Sequence, residues 1–166
     1  MKENKVTFLT QAALIAAVYV VLCIAFAPIS YGEIQVRVAE ALVILPFFTP
    51  AAIPGLFIGC FLSNMIGGSI LVDMVFGSLA TLLGAAGSWY LRKNRVLVLF
   101  PPILANTLIV PFVLRYGYGV LLPIPFMMLT VGIGEVIAVG GMGSVLLSVL
   151  LRYRSILFPK AINRMS

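Results

Sequence analysis

The sequence predicts an all-α integral membrane protein of six transmembrane helices, a single domain over residues 1–166 with both termini cytoplasmic. Three observations carry that prediction. Hydrophobic residues make up 62% of the chain and charged residues only 10%, whereas an ordinary soluble domain is roughly 45–50% apolar and about 25% charged. The few charges are also segregated. Residues 6–32, 41–72, 74–91, 96–114, 116–134 and 136–151 contain no Asp, Glu, Lys or Arg, and a helix spans a bilayer with about 20 apolar residues. Finally, the cations fall on one side of the implied membrane. With the N-terminus inside, Lys2, Lys5, Arg92, Lys93, Arg95, Arg152, Arg154, Lys160 and Arg164 are cytoplasmic, and Arg37 and Arg115 alone lie outside. Lys and Arg favour the cytoplasmic side, and the bias agrees with an even number of crossings.

Taken in order, the first helix covers about 5–27. A signal peptide is the weaker reading of this run, because Val6–Ala27 exceeds a usual h-region and Pro28 directly follows the small-x-small site Ala25-Phe26-Ala27. Ala12, Ala13, Ala16 and Ala17 give this helix a smooth stripe at i,i+4 spacing, which permits close helix approach. The next apolar run, 41–72, is too long for one span and is punctuated by Pro46, Pro50 and Pro54. Proline is tolerated in a first turn and disruptive inside a helix, so the run divides into helices at about 36–48 and 50–66. Gly55 and Gly59 offer a small face on the latter. A fourth helix at about 70–91 carries Ala80, Gly84 and Ser88 at the same spacing. The fifth and sixth follow at about 96–115 and 124–153.

The composition excludes several classes of function. The chain has no G-x-x-x-x-G-K-[ST] phosphate loop and no His, and Cys23 and Cys60 both sit in apolar runs. ATP hydrolysis through a phosphate loop, a Ser/His/Asp or Cys/His nucleophile and a His/Cys metal site are therefore not expected. No cofactor is expected, and the formal net charge of +6 reads as a topology signal more than a nucleic-acid surface.

What remains is a sparse set of polar residues at membrane depth: Gln11, Glu40, Asn64, Asp73, Asn106 and Glu135. An ionisable residue in a span costs about 2.5–3.5 kcal/mol on insertion scales and is a functional candidate by default. Glu135 lies about 11 residues into the sixth helix, roughly 16 Å deep and near the midplane. Apart from Gln11, near the cytoplasmic end, these groups occupy the outer half and middle, which describes a pocket open to the outside better than a pore. Structural alternatives stand beside each. Asp73 opens a helix and could cap it; Glu40 could pair with Arg37 at i,i+3; Asn106 could be interhelical glue; Gln11 suits packing or a partner. Glu135, flanked by Gly132 and Gly134, has no nearby cation in sequence. Between helices one and two, Glu33, Gln35 and Arg37 alternate with Ile34, Val36 and Val38, the period-2 pattern of an extended rim. Tyr31 suits either an interfacial belt or a stacking platform.

Five stretches together resemble the queuosine-precursor transporter (QueT-type) family. They are Tyr31-Gly32-x-Ile34-Gln35-x-Arg37-x-x-Glu40-Ala41-Leu42, TPAAIPGLFIGCFLSN at 49–64, DMVFGSLATLLGA at 73–85, PPILANTLIV at 101–110 and VGIGEVI at 131–137. The likeness covers about residues 7–152. It implies the six-helix fold of a substrate-binding S component of an energy-coupling factor (ECF) transporter, driven by a membrane coupling protein and two ATPase subunits. It also implies a 7-deazaguanine substrate, such as preQ1 or queuine. On that resemblance Glu135 and Glu40 are expected as the principal ligand carboxylates and Asp73 as a third. Asn106 and Asn64 would read the ligand's edge, Gln35 and Arg37 would close the pocket, and Tyr31 would stack. Ala12, Ala13, Ala16 and Ala17 resemble the surface that docks on the coupling protein. The alternatives are an S component for another vitamin or purine-like solute, or a stand-alone carrier or channel.

Overall fold

A computed structural model describes residues 5–30 and 37–153. Every regular element among them is helical. In chain order these are α1 (Lys5–Ala25), α2 (Ala27–Ser30), a 3-10 helix (Val38–Phe47), α3 (Ala52–Ile66) and α4 (Leu71–Tyr90). A 3-10 turn (Leu97–Leu99) then leads into α5 (Phe100–Phe112), which closes in a π turn (Val113–Gly117). The chain ends in α6 (Ile124–Glu135), a π-helical segment (Val136–Gly143) and α7 (Ser144–Arg152). Four spans, Lys5–Ala25, Leu71–Tyr90, Leu97–Gly117 and Ile124–Arg152, are long and apolar enough to cross a membrane. The shorter apolar helices Val38–Phe47 and Ala52–Ile66 bring the number of helical rods to six. The protein is an all-α, multi-pass membrane protein.

Two expected helices differ in kind. The second is a 3-10 helix with nearly every side chain buried, Pro46 included. A segment apolar on all faces belongs inside a bundle, and this one is the central post around which α1, α3, α4 and the π segment pack. At about 2.0 Å per residue the 3-10 form spreads its ten residues over roughly 20 Å. The sixth helix is interrupted: the π segment begins immediately after Glu135 and holds Gly140, Gly141 and Gly143. A Cβ at Gly143 would lie 3.2 Å from Ile44 Cγ2, so the last rod lies close against the central post.

Small residues join the rods, as their spacing predicts. A Cβ on Gly55 would come within 2.7 Å of the Ala12 carbonyl oxygen, and one on Gly59 within 3.1 Å of Ala16 Cα. A Cβ on Gly84 would stand 2.7 Å from Pro102 Cα, and Ser88 donates to the Val98 carbonyl at 2.7 Å. The alanine stripe is therefore divided. Ala12 and Ala16 are buried against α3, which removes them from the surface assigned to a partner. Ala13 and Ala17 face outward, beside Val6, Leu9, Leu14 and Val21. Gln11 is a packing residue, since Thr49 donates to its amide oxygen at 2.9 Å. That contact pins the lower end of the central post to the N-terminal half of α1.

Candidate functional site

A polar cluster is enclosed by the central 3-10 helix and α1, α3, α4, α5 and α6. Arg37, Glu40, Asn64, Asp73, Thr81, Asn106 and Glu135 are all buried. Of the eight residues expected to contact ligand, six are thus described and buried, while Tyr31 and Gln35 lie outside the described residues.

The inner part is organised on Glu40. Its Oε1 accepts from the Tyr19 hydroxyl on α1 and from Thr81 Oγ1 on α4 at 3.3 Å, and its Oε2 accepts from Asn106 Nδ2 on α5 at 3.4 Å. Three donors from three helices occupy both carboxylate oxygens. The Arg37–Glu40 pairing that their spacing allows does not form the bridge; the guanidinium turns to Asp73, with Nη2 at 3.7 Å from Oδ2. Asp73 also accepts from the Tyr118 hydroxyl at 2.9 Å. It stands in the first turn of α4, and both of these side-chain partners come from outside that helix. Tyr118 lies beyond the end of the fifth span and is partly exposed. Burial pushes its phenol above the ordinary tyrosine range, with the Ser69 hydrogen bond opposing and the Asp73 carboxylate adding to the rise. It therefore donates to Asp73 at any physiological pH.

Cys60, on α3, joins the two parts. Its sulfur accepts from Arg37 Nη1 at 3.7 Å and Asn64 Nδ2 at 3.9 Å, and it lies 3.4 Å from Thr81 Oγ1, whose single proton has Glu40 Oε1 and the Gly77 carbonyl as alternative acceptors. Asn64 Nδ2 also reaches the Asp73 carbonyl at 3.3 Å. The sequence pattern does not single out Tyr19, Cys60, Thr81 or Tyr118. A signal was present for two of them. Ala12, Ala16, Tyr19 and Cys23 continue one inward stripe of α1, and Gly77, Thr81, Gly84 and Ser88 one stripe of α4.

Four buried side-chain atoms have no hydrogen-bond partner among the described residues: Arg37 Nε, Asn64 Oδ1, Thr107 Oγ1 and Glu135 Oε2. Nearly every buried polar atom in a folded protein is paired, so an unpaired one calls for an explanation. Three belong to residues of this cluster. Thr107 follows Asn106 on α5 and faces α6 at Gly132, where a Cβ would lie 3.4 Å from its hydroxyl. One turn further along α6 is Glu135, the last residue before the π segment; π turns inside helices concentrate at functional sites. The cluster thus offers one N–H donor and two carbonyl- or carboxylate-type acceptors, with the Thr107 hydroxyl beside them. One buried guanidinium faces three buried carboxyl groups, an excess of acid that suits a ligand bearing donors or a positive charge. No group of three or more His, Cys, Asp or Glu able to hold a metal ion occurs among the described residues.

Comparison with known proteins agrees with this architecture. The family model described as QueT transporter matches residues 9–152. The queuosine precursor transporter QueT of Lactococcus lactis subsp. cremoris (strain MG1363) is 39% identical over 85 residues, covering 50% of this chain and 50% of that relative. The match spans about half the length of the relative. No solved structure matches the chain.

Proposed function

The chain belongs to the QueT transporter family, and on that premise we propose that it captures a queuosine precursor, a 7-deazaguanine such as preQ1 or queuine, from outside the cell. In this reading it is the substrate-binding S component of an ECF importer. A coupling membrane protein and two ATPase subunits supply the energy, in keeping with the absence of a phosphate loop in this chain. The name of the Lactococcus relative supports the substrate class. Within the molecule, the observation that carries the reading is the unpartnered, buried Oε2 of Glu135 in a cluster with surplus acid.

The chemistry assigns roles. A guanine-type edge presents N1–H and N2–H₂ as parallel donors, which a carboxylate accepts as a pair. Glu135 has an oxygen to spare for it, whereas both oxygens of Glu40 are engaged by protein donors. Glu135 is therefore the ligand carboxylate, and Glu40 holds the wall of the pocket through Tyr19, Thr81 and Asn106. On preQ1 the aminomethyl arm lies next to O6. Arg37 Nε–H would meet O6, and Asn64 Oδ1 with the Asp73 carboxylate would meet the ammonium. Tyr31 and Gln35 would complete the outer rim, and Ala13 and Ala17 the docking face. The test is calorimetric titration of the purified protein with preQ1, preQ0, queuine and guanine side by side. A site for purine-like solutes in general would bind guanine as well as preQ1, and a channel or stand-alone carrier would move solute without ATPase partners. Either result would overturn the reading.

A further inference from the structure

We propose that the Cys60 thiol is a positioning residue of the site: it holds the Arg37 guanidinium and the Asn64 amide so that one free donor and one free acceptor meet the ligand together. The inference rests on the pocket being a 7-deazaguanine site, as proposed above.

A buried thiol between apolar helices ordinarily behaves as a small hydrophobe. Cys60 is different in what surrounds it. It is fully buried, yet its sulfur accepts from two polar side chains, Arg37 before the central post and Asn64 one turn further along α3, and also lies beside the Thr81 hydroxyl on α4. Arg37 and Asn64, which both point a nitrogen at Cys60, also carry two of the four unpartnered buried atoms, Nε and Oδ1. Both residues are more than nine-tenths buried.

The geometry explains the pairing. A guanidinium is planar, so holding Nη1 on the Cys60 sulfur and Nη2 on Asp73 fixes its plane and thereby the direction of Nε–H. Likewise, Asn64 Nδ2 is held between the same sulfur and the Asp73 carbonyl, which fixes the amide plane and aims Oδ1. Sulfur suits this task. It is a weak acceptor working at long range, so it orients its donors without holding them as tightly as an oxygen would. A matching ligand edge carries a carbonyl beside an amine donor, which on preQ1 is O6 beside the aminomethyl group. Guanine offers the carbonyl without the amine arm and uses only half of the pair.

The experiment uses the purified full chain in detergent, with preQ1 and guanine titrated calorimetrically against wild type, Cys60→Ala and Cys60→Ser, and thermal midpoints recorded without ligand. Cys60→Ala should weaken preQ1 binding on the order of tenfold and guanine binding by roughly threefold, the size expected from hydrogen bonds made by a charged group. Cys60→Ser, which restores an acceptor, should recover preQ1 affinity to within about threefold. A purely structural cysteine gives a different pattern: equal losses for both ligands, and no rescue by serine. That pattern, or wild-type preQ1 affinity in Cys60→Ala, overturns the inference while leaving the 7-deazaguanine reading intact. If the alanine variant fails to fold, Cys60→Val preserves the volume without the acceptor and takes its place in the comparison. If wild type binds no 7-deazaguanine, the reading of the pocket fails and this inference falls with it.

Discussion

Tyr19 on α1 donates its hydroxyl to the Glu40 carboxylate on the central 3-10 helix, and this contact separates the two deep carboxylates by role. Tyr19 has no exposed surface, and Glu40 has almost none. A buried carboxylate deprived of a donor pays the desolvation of that oxygen. Tyr19→Phe should therefore lower stability by about 1–2 kcal/mol, read as a drop in the thermal midpoint in detergent. Glu40→Ala should cost more, about 2–4 kcal/mol, because the buried Tyr19 hydroxyl and Asn106 amide both lose their acceptor, while Thr81 can turn to the Gly77 carbonyl. Wild-type stability in Tyr19→Phe would sink this division of labour.

Glu135 should behave in the opposite way. Its Oε2 has no partner among the described residues, so replacing the carboxylate with an amide removes little that holds the fold together. We expect Glu135→Gln to leave unliganded stability within about 0.5 kcal/mol of wild type or to raise it. Affinity for preQ1 should fall by roughly 1.5–3 kcal/mol, the cost of losing hydrogen bonds from the ligand's neutral N–H edge to a charged group. Parallel titration and thermal melts separate the two effects. Unchanged affinity in Glu135→Gln would return the ligand role to Glu40.

These two carboxylates also mark what the sequence could and could not convey. Six apolar runs, their cations and the prolines between 46 and 54 were enough for a six-rod membrane bundle. The small residues at 55, 59, 84 and 88 correctly signalled close contacts. Burial was legible as well: an acid in an apolar run must be buried or paired, and Glu40, Asp73 and Glu135 are buried. Partners were not legible. The i,i+3 spacing of Arg37 and Glu40 suggests a local bridge, but the guanidinium crosses to Asp73 on α4. Whether a carboxylate is saturated depends on helices that meet only in the folded chain. The alanine stripe shows the same limit, because periodicity places four small residues near one another without saying which of them face a neighbour inside the bundle.

The stripe can be separated by mutation. Ala12 and Ala16 oppose Gly55 and Gly59 at distances that leave no room for added atoms, so Ala16→Leu should destabilise the bundle by about 1–3 kcal/mol through overpacking. Ala13 and Ala17 are exposed, and the double variant Ala13→Leu, Ala17→Leu should keep both the melting point and preQ1 binding. If the exposed half of the stripe is the docking face, that variant should lose ATP-driven uptake and co-purification with the coupling protein. Normal uptake would show that docking uses another surface.

Asp73 Oδ2 receives both Arg37, next to the segment that precedes the central post, and Tyr118, in the connection between α5 and α6. A single oxygen thus ties Arg37, at the start of the central post, to the connection between α5 and α6. On the proposed outward-facing site, ligand would enter past this tie, and Tyr118→Phe removes its neutral half while leaving the ion pair. The expected consequence is kinetic. Association and dissociation of preQ1, followed by stopped-flow fluorescence, should both accelerate by several-fold, while the equilibrium affinity changes by less than about threefold. The sign of the pH dependence follows from the phenol. Its pKa is raised, so the donated proton is present throughout the range below the ordinary tyrosine value and is lost only as pH climbs through the higher folded-state value. Between about pH 6 and 9 the rate difference between wild type and Tyr118→Phe should therefore be flat. A variant that slows dissociation, or that loses affinity without faster entry, would place Tyr118 in contact with the ligand instead of across its path.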